Sequence, residues 1–138
     1  MIKVVIALSC LLAIISCEEE LGIEEIFVPK ICEKKSKNGD ILSVHYIGTF
    51  TDGTKFDSSW DRKQPYRFQI GRGQVIKGCD QGLLDMCVGE IRKLTMPPSF
   101  AYGDHGIENT IPPSATLVFE YELMDIQSEE AFYQHNEF

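Results

Sequence analysis

The sequence has no apolar stretch long enough to cross a lipid bilayer as a helix. Its longest apolar run covers residues 4–15 and is interrupted only by a Ser-Cys pair, whereas a membrane-spanning helix needs about 20 residues. The run follows Lys3 and ends at Ser16 and Cys17, ahead of three glutamates. A basic start, a short apolar centre and small residues at the end are typical of a secretory signal peptide. We therefore predict a signal peptide at residues 1–17 and no stable membrane insertion.

Two other interpretations of this leader stay open. An uncleaved membrane anchor is one, and a bacterial lipoprotein signal is the other, because Ile14-Ile15-Ser16-Cys17 would place a lipid on Cys17. The C-terminal tetrapeptide His135-Asn136-Glu137-Phe138 is similar to the H-D-E-L and K-D-E-L retrieval signals, with Asn and Phe in place of Asp and Leu. Together the two ends favour the lumen of the endoplasmic reticulum, with secretion or lipid anchoring as alternatives.

Basic residues are in the minority. The chain has 13 Lys and Arg against 21 Asp and Glu, a formal net charge of −8. An acidic surface repels phosphate backbones, so nucleic-acid binding is not expected. The 138 residues suit one domain, and the lack of a heptad pattern or an obvious apolar patch favours a monomer.

The sequence also lacks the common catalytic and metal-binding motifs. It contains no G-x-S-x-G, H-E-x-x-H or G-x-x-x-x-G-K, and its Cys and His residues have no metal-ligand spacing. We predict neither a metal site nor a cofactor. A thiol-dependent enzyme, pairing Cys79 or Cys87 with His45 or His105, has no flanking motif to support it but stays an alternative.

Short strand-like segments make up most of the remaining sequence. Alternation and β-branched or aromatic residues predict strands at 26–33, 41–50, 55–60, 66–70, 90–96 and 116–124. Asn38-Gly39 and Asp52-Gly53 predict tight turns. Apolar residues spaced by three and four predict one amphipathic helix from Val75 to Met86. The pattern indicates an α+β domain in which that helix buries its apolar face against an antiparallel sheet.

The predicted organisation has four parts. Residues 1–17 are the signal peptide, and residues 18–30 are an acidic N-terminal arm, mobile to residue 25, with the start of the first strand. The folded domain covers residues 31–127. Residues 128–138 form a polar, frayed tail that carries the candidate retention signal.

Several motifs in a fixed order resemble FKBP-type peptidyl-prolyl cis-trans isomerases. The resemblance runs from about Gly39 to Ile126. Its motifs are Val44–Gly48, Asp52–Ser59, Gly73–Gly78, Asp80–Leu83, Ala101–Gly103 and Ile111–Phe119. It implies a strongly twisted sheet of five to six antiparallel strands wrapped round one short helix, with a pocket between them.

The resemblance also implies a function. Such an enzyme accelerates rotation about Xaa-Pro bonds during the folding of secretory proteins, by non-covalent stabilisation of the twisted amide in an apolar pocket. Its partners would be proline-containing client polypeptides, and the macrolide inhibitors of the family are candidate ligands. The alternative is a catalytically weak module that binds peptides or proteins.

Site residues follow by position in the matching motifs. The expected catalytic residues are Tyr46, Phe56, Asp57, Ile76, Tyr102 and Phe119. The expected substrate-binding residues are Arg62, Tyr66, Phe68, Val75, Cys79 and Ile111. By pattern alone the aromatic residues among them would equally suit a core, and Asp57 would suit a turn cap. Lumenal members of the family have cysteines at the positions of Cys32 and Cys87, which implies a disulfide here.

Two departures from the family pattern stand out. The family usually has Trp at the position of Cys79, where it forms the pocket floor. We expect that a neighbour such as Leu83 or Met86 fills this space, or that the pocket is deeper, with weaker macrolide binding. The second departure is the polar loop 104–110, which puts the preference for residues flanking proline in doubt.

Overall fold

The computed structural model describes residues 19–137. The predicted signal peptide and the final residue of the C-terminal tetrapeptide, Phe138, lie outside the described residues. Within residues 19–137, no helix has both the length and the apolar character needed to cross a membrane.

Six strands form one antiparallel sheet. They are β1 (Gly22–Phe27), β2 (Ile41–Phe50), β3 (Lys55–Ser58), β4 (Tyr66–Gln69), β5 (Ile91–Met96) and β6 (Leu117–Gln127). The strand order is β1-β5-β6-β2-β3, and β4 pairs with the first half of β2. The helices are α1 (Lys77–Gly82), a 3-10 turn (Pro98–Phe100) and α2 (Glu129–His135). The predicted fold class, a sheet of this kind around the short helix α1, is confirmed.

Helix α1 packs closely on the sheet because two of its residues are glycines. A Cβ atom on Gly78 would lie 2.5 Å from Met96 Sδ, and one on Gly82 would lie 2.5 Å from Leu94 Cδ1. Both β5 side chains are fully buried. The glycines therefore let the helix backbone approach β5 and close one side of the core.

The N-terminal arm is a correction to the sequence analysis. Strand β1 starts at Gly22 and pairs with β5, whereas residues 18–25 were expected to be mobile and the first strand to begin at Ile26. All six residues of β1 are exposed, so no apolar alternation marked the strand. Its acidic residues face basic ones across the strand pair, Glu24 opposite Lys93 and Glu25 opposite Arg92, and such pairs stabilise a sheet.

The amphipathic helix is shorter than predicted. It covers Lys77–Gly82 rather than 75–86, although Leu83 and Met86 are fully buried as expected. The buried Arg92 side chain donates hydrogen bonds to the carbonyl oxygens of Gly82, Leu84 and Asp85. These carbonyls are satisfied by a guanidinium from β5 instead of by further helical turns.

The C-terminal tail is helical rather than frayed up to His135. The Ser128 side chain caps α2 by accepting a hydrogen bond from the Ala131 N–H, and Glu129 and Glu130 occupy the first turn. Glu129 also pairs with Arg72 at 3.1 Å.

The disulfide between Cys32 and Cys87 is present, which confirms its prediction from the family resemblance. It joins the segment after β1 to the turn after α1, across 55 residues of sequence. An isolated antiparallel β-bridge between Lys35 and Cys87 also joins these two segments.

Candidate active site

A cavity of about 490 Å³ opens between the start of α1 and the concave face of the sheet. Seven of its twelve lining residues are aromatic. Its lining residues are Tyr46, Phe56, Asp57, Tyr66, Phe68, Gln74, Val75, Ile76, Cys79, Tyr102, Phe119 and Tyr121. The residues at the mouth are Tyr66, which is 44% exposed, and Tyr102, which is 36% exposed. The deepest residues are each at most 5% exposed, and they are Phe68, Cys79, Phe119 and Tyr121.

The aromatic wall depends on a glycine in β2. Phe119 meets Phe56 edge to face, with ring centroids 5.5 Å apart, and meets Tyr46 at 6.0 Å. A Cβ atom on Gly48 would lie 2.7 Å from the Phe56 ring and 2.8 Å from the Phe119 ring. The absence of a side chain at this position lets both rings lean into the cavity wall.

One corner of the cavity, the polar corner, consists of Tyr46, Asp57 and Arg62. The Tyr46 hydroxyl donates to Asp57 Oδ2 at 2.6 Å, and Arg62 donates to Asp57 Oδ1 and to the Tyr46 oxygen, each at 2.6 Å. Partial burial favours the neutral carboxyl, but the hydrogen bonds from Tyr46 and Arg62 outweigh it, so the pKa of Asp57 lies below its usual value. Burial and the neighbouring Asp57 raise the pKa of Tyr46 to about 12. The corner therefore holds a carboxylate and a protonated phenol at neutral pH.

A second layer fixes the segment that carries Arg62. Ser59 Oγ lies 2.8 Å from His45 Nδ1 and accepts the Tyr46 N–H at 2.7 Å. The Trp60 ring stacks on His45 with centroids 3.7 Å apart. The Arg62 N–H bonds the Ser59 carbonyl at 3.2 Å. Sequence reasoning did not identify this support, because nothing in the local pattern pairs His45 with a serine fourteen residues later.

The deep end of the cavity, the floor, consists of Cys79 and Tyr121. Cys79 Sγ lies 2.8 Å from the Tyr121 hydroxyl oxygen. The Tyr121 ring stacks on Phe119 with centroids 5.6 Å apart. Leu83 and Met86 are packed in the core and are not among the lining residues, so the expectation that one of them replaces the missing indole is wrong. Tyr121 supplies the aromatic surface instead.

All six residues expected to be catalytic line the cavity, as do Tyr66, Phe68, Val75 and Cys79. Two expected substrate-binding residues do not. Arg62 reaches the polar corner from outside the lining, and Ile111 is 4% exposed and packed in the core. Ile111 follows the loop 104–110 and forms an isolated β-bridge with Ile107, and in this position its side chain packs in the core.

Two lining residues, Gln74 and Tyr121, were missed. Gln74 accepts the Gln69 N–H at 3.0 Å and so ties the start of the α1 segment to β4. Tyr121 had a signal, because the alternation of the last strand places it on the same face as Leu117, Phe119 and Leu123.

Comparisons with known proteins agree with this geometry. A family model described as FKBP-type peptidyl-prolyl cis-trans isomerase matches residues 32–124. The chain belongs to this family. It is therefore an FKBP-type isomerase, whose substrates are proline-containing polypeptides.

Individual relatives extend the match over most of the chain. FK506-binding protein 2 of Yarrowia lipolytica is 46% identical over 134 residues, which cover 93% of each chain. Peptidyl-prolyl cis-trans isomerase FKBP15-2 of Arabidopsis thaliana is 52% identical over 112 residues, or 81% of this chain and 69% of that protein. The crystal structure of AtFKBP13 superposes with a TM-score of 0.70 at 35% identity, over 78% of this chain and 93% of that one.

Proposed function

We propose that this FKBP-type isomerase catalyses Xaa-Pro rotation in the aromatic cavity, with roles as follows. Phe56, Tyr66, Val75, Ile76 and Phe119 contact the prolyl ring. The Ile76 N–H and the Tyr102 hydroxyl donate to substrate carbonyls, and Asp57 faces the twisting amide. The observation that carries the proposal is a wall of aromatic rings with one charged corner, in which the Cys79 thiol is kept protonated by burial.

The chemistry requires little more than this. The barrier to rotation arises from the amide resonance that is lost when the C–N bond twists. A planar amide is more charge-separated than a twisted one, so an apolar enclosure disfavours the planar state relative to the transition state. Donors held at the substrate carbonyls orient the peptide, and interactions that strengthen on twisting lower the barrier.

Truncation of the wall tests these roles. Phe119→Ala removes a ring at the centre of the wall, and we expect kcat/KM for a short Xaa-Pro peptide to fall by about tenfold or more. Met124→Ala is the matched control, because Met124 lies on the same strand but is 40% exposed and lines no part of the cavity. Equal rates for both variants would show that catalysis does not use this cavity.

The cellular role is the folding of secretory proteins, with retention in the lumen of the endoplasmic reticulum. The Cys32–Cys87 disulfide supports an oxidising compartment, and the leader-like residues 1–17 support entry into it. Deletion of residues 135–138 from the expressed full chain should release it into the medium while the intact chain stays inside cells. Equal secretion of both chains would show that the protein is secreted rather than retained. Detection of a lipid on Cys17 by mass spectrometry would show that it is lipid-anchored instead.

Macrolide inhibitors are expected to bind the same cavity with reduced affinity. The smaller Cys79 side chain removes apolar contact area, and the floor that replaces it carries two polar atoms. Calorimetric titration with FK506 should show binding that weakens further in Phe119→Ala. A catalytically weak module that binds peptides or proteins, the second candidate, is favoured by the loss of the larger ring at Cys79 and predicts binding of proline-containing peptides without measurable catalysis.

A further inference from the structure

The floor of the cavity has one hydrogen-bond donor that the contact between its two side chains does not use. The Cys79 thiol and the Tyr121 hydroxyl contact each other at 2.8 Å, and either can donate to the other. Within residues 19–137 this is the one side-chain hydrogen bond that either atom forms. The contact uses only one of their two hydrogens, so the other has no acceptor among the described residues.

Both hydrogens are present at neutral pH. Burial is the main reason that the pKa of Cys79 rises to about 12, and it raises the pKa of Tyr121 well above its ordinary value. Cys79 is 5% exposed and Tyr121 is 4% exposed, and both line the cavity, so the hydrogen that their contact does not use is available to a group that fills the cavity. A ligand with an acceptor at that point forms a hydrogen bond there, whereas a purely apolar ligand leaves the donor buried without one.

The depth of the cavity determines which substrate atom reaches the floor. In the proposed function the peptide backbone lies at the mouth beside the exposed Tyr66 and Tyr102, and the prolyl ring enters toward the buried residues. In a prolyl ring the nitrogen and Cα belong to the backbone, and Cγ is the remote atom. A substituent on Cγ therefore points toward Cys79 and Tyr121.

We infer that the cavity accepts prolyl rings hydroxylated at Cγ, so that Xaa-4-hydroxyprolyl bonds are substrates alongside Xaa-Pro bonds. The ring hydroxyl accepts the spare hydrogen of the floor. Burial of a hydroxyl without a partner is costly, so an apolar floor would reject such a ring, whereas this one compensates for its desolvation. The inference rests on the proposed function and specifies the substrate class of the same site.

Matched peptides that differ only in the ring hydroxyl test the inference. The catalysed rate is measured for Xaa-Pro and for both 4-hydroxyproline epimers, and each is divided by its uncatalysed rate. For the wild type we expect the acceleration of the better hydroxyprolyl epimer to lie within about threefold of the acceleration of the prolyl peptide. In Cys79→Ala/Tyr121→Phe the ratio of hydroxyprolyl to prolyl acceleration should be about tenfold lower than in the wild type. Cys79→Ser keeps a donor pair at the floor and should retain the wild-type ratio.

The outcomes separate the two levels of the argument. A wild type that accelerates Xaa-Pro but discriminates against both epimers as strongly as the double variant overturns the inference and leaves the proposed function intact. A wild type that accelerates neither peptide overturns the proposed function itself. Should the double variant not fold, Tyr121→Phe alone leaves only the weaker thiol donor, and its ratio should drop by about threefold; an unchanged ratio contradicts the inference.

Discussion

The polar corner and the floor are neighbouring parts of one cavity, with the Tyr46 and Tyr121 ring centroids 5.8 Å apart, and each is built around a tyrosine hydroxyl. At the corner, the Tyr46 hydroxyl contacts a carboxylate and a guanidinium whose side chains are 38% and 51% exposed. At the floor, the Tyr121 hydroxyl contacts a thiol, and both residues are at most 5% exposed. The difference teaches that exposure limits which partner a hydroxyl can have. A buried charge needs a partner of opposite charge, as Glu90 has in Arg92, and no Lys or Arg is among the residues that line the cavity.

A charge placed at the floor should break this comparison most severely. Cys79→Asp buries a carboxylate without a cationic partner, and we expect a loss of about 3–5 kcal/mol in the free energy of unfolding at pH 7. The folded-state pKa of the new carboxyl would lie above its unfolded value, so the protein is least destabilised below that unfolded value, near pH 4, and loses stability as pH rises. Urea denaturation at pH 4.5 and pH 7.5 measures both effects.

Cys79→Asn is the matched control for this change, since it has nearly the same shape and no charge. Its loss of stability should be the same at both pH values. If Cys79→Asp and Cys79→Asn behaved alike, the floor would be open to water and the contrast between the corner and the floor would disappear.

Loss of the charge at the corner should affect catalysis more than stability. Asp57→Ala removes the carboxylate that faces the substrate amide, and we expect kcat/KM to fall about tenfold. The free energy of unfolding should change by less than about 1 kcal/mol, because the ion pair is exposed. Asp61→Ala is the control, since Asp61 follows four residues later, outside the cavity lining, and its side chain pairs with Lys55 at 2.8 Å. An equal loss of activity in this variant would show that Asp57 has no special role in catalysis.

The pH dependence sharpens the same point. The pKa of Asp57 is lowered in the folded state from the unfolded value of 3.8. The contribution of its carboxylate to stability is therefore fully present above pH 3.8 and is lost as pH falls through the lower pKa of the folded state. Activity should stay level from pH 8 to pH 5. Arg62→Gln should shift the acid limb of the kcat/KM profile upward, and an unshifted limb would show that another group titrates.

The second layer should have a smaller effect. Ser59→Ala removes the hydroxyl that joins His45 to the Tyr46 backbone, and we expect kcat/KM to fall by about threefold through looser placement of Arg62. Ser58→Ala is the neighbouring control, because the Ser58 hydroxyl forms no hydrogen bond among the described residues. A normal pH profile in Ser59→Ala would contradict a positioning role, since a looser Arg62 must raise the pKa of Asp57.

The smallest expected effect is on thiol chemistry at the floor. With its pKa raised to about 12 and its side chain buried, Cys79 should resist iodoacetamide at pH 7. Mass spectrometry of the Cys79 peptide should find it unlabelled in the native protein and labelled in urea. Rapid native labelling that abolishes activity would instead support the thiol-dependent alternative.

The sequence predicted the centre of the fold because burial leaves a pattern. Strands β2 and β6 alternate or carry β-branched and aromatic residues, and the glycine-containing turns at Asn38 and Asp52 were found from their chemistry. The same alternation included Tyr121, so the floor could have been predicted from the last strand. What hid it was the expectation that Leu83 or Met86, both within the longer predicted helix, would fill the space.

The parts that sequence reasoning missed depend on contacts rather than on patterns. Strand β1 has no buried face, so only its pairing with Lys93 and Arg92 identifies it. The end of α1 is set by the Arg92 side chain ten residues beyond Gly82. Helix α2 begins at an N-cap, Ser128, that the sequence could have indicated. None of its residues is buried, so no apolar pattern predicted a helix there.

One rate measurement tests the central claim, that Tyr121 and Cys79 form a working floor in place of a larger ring. The isomerisation of an Xaa-Pro peptide is followed with the wild type and with Cys79→Trp/Tyr121→Ala, which exchanges the aromatic ring between the two positions. We predict clear acceleration by the wild type and little gain from the exchange. No wild-type acceleration, with activity appearing only in the exchanged variant, would contradict the claim and identify a binding module.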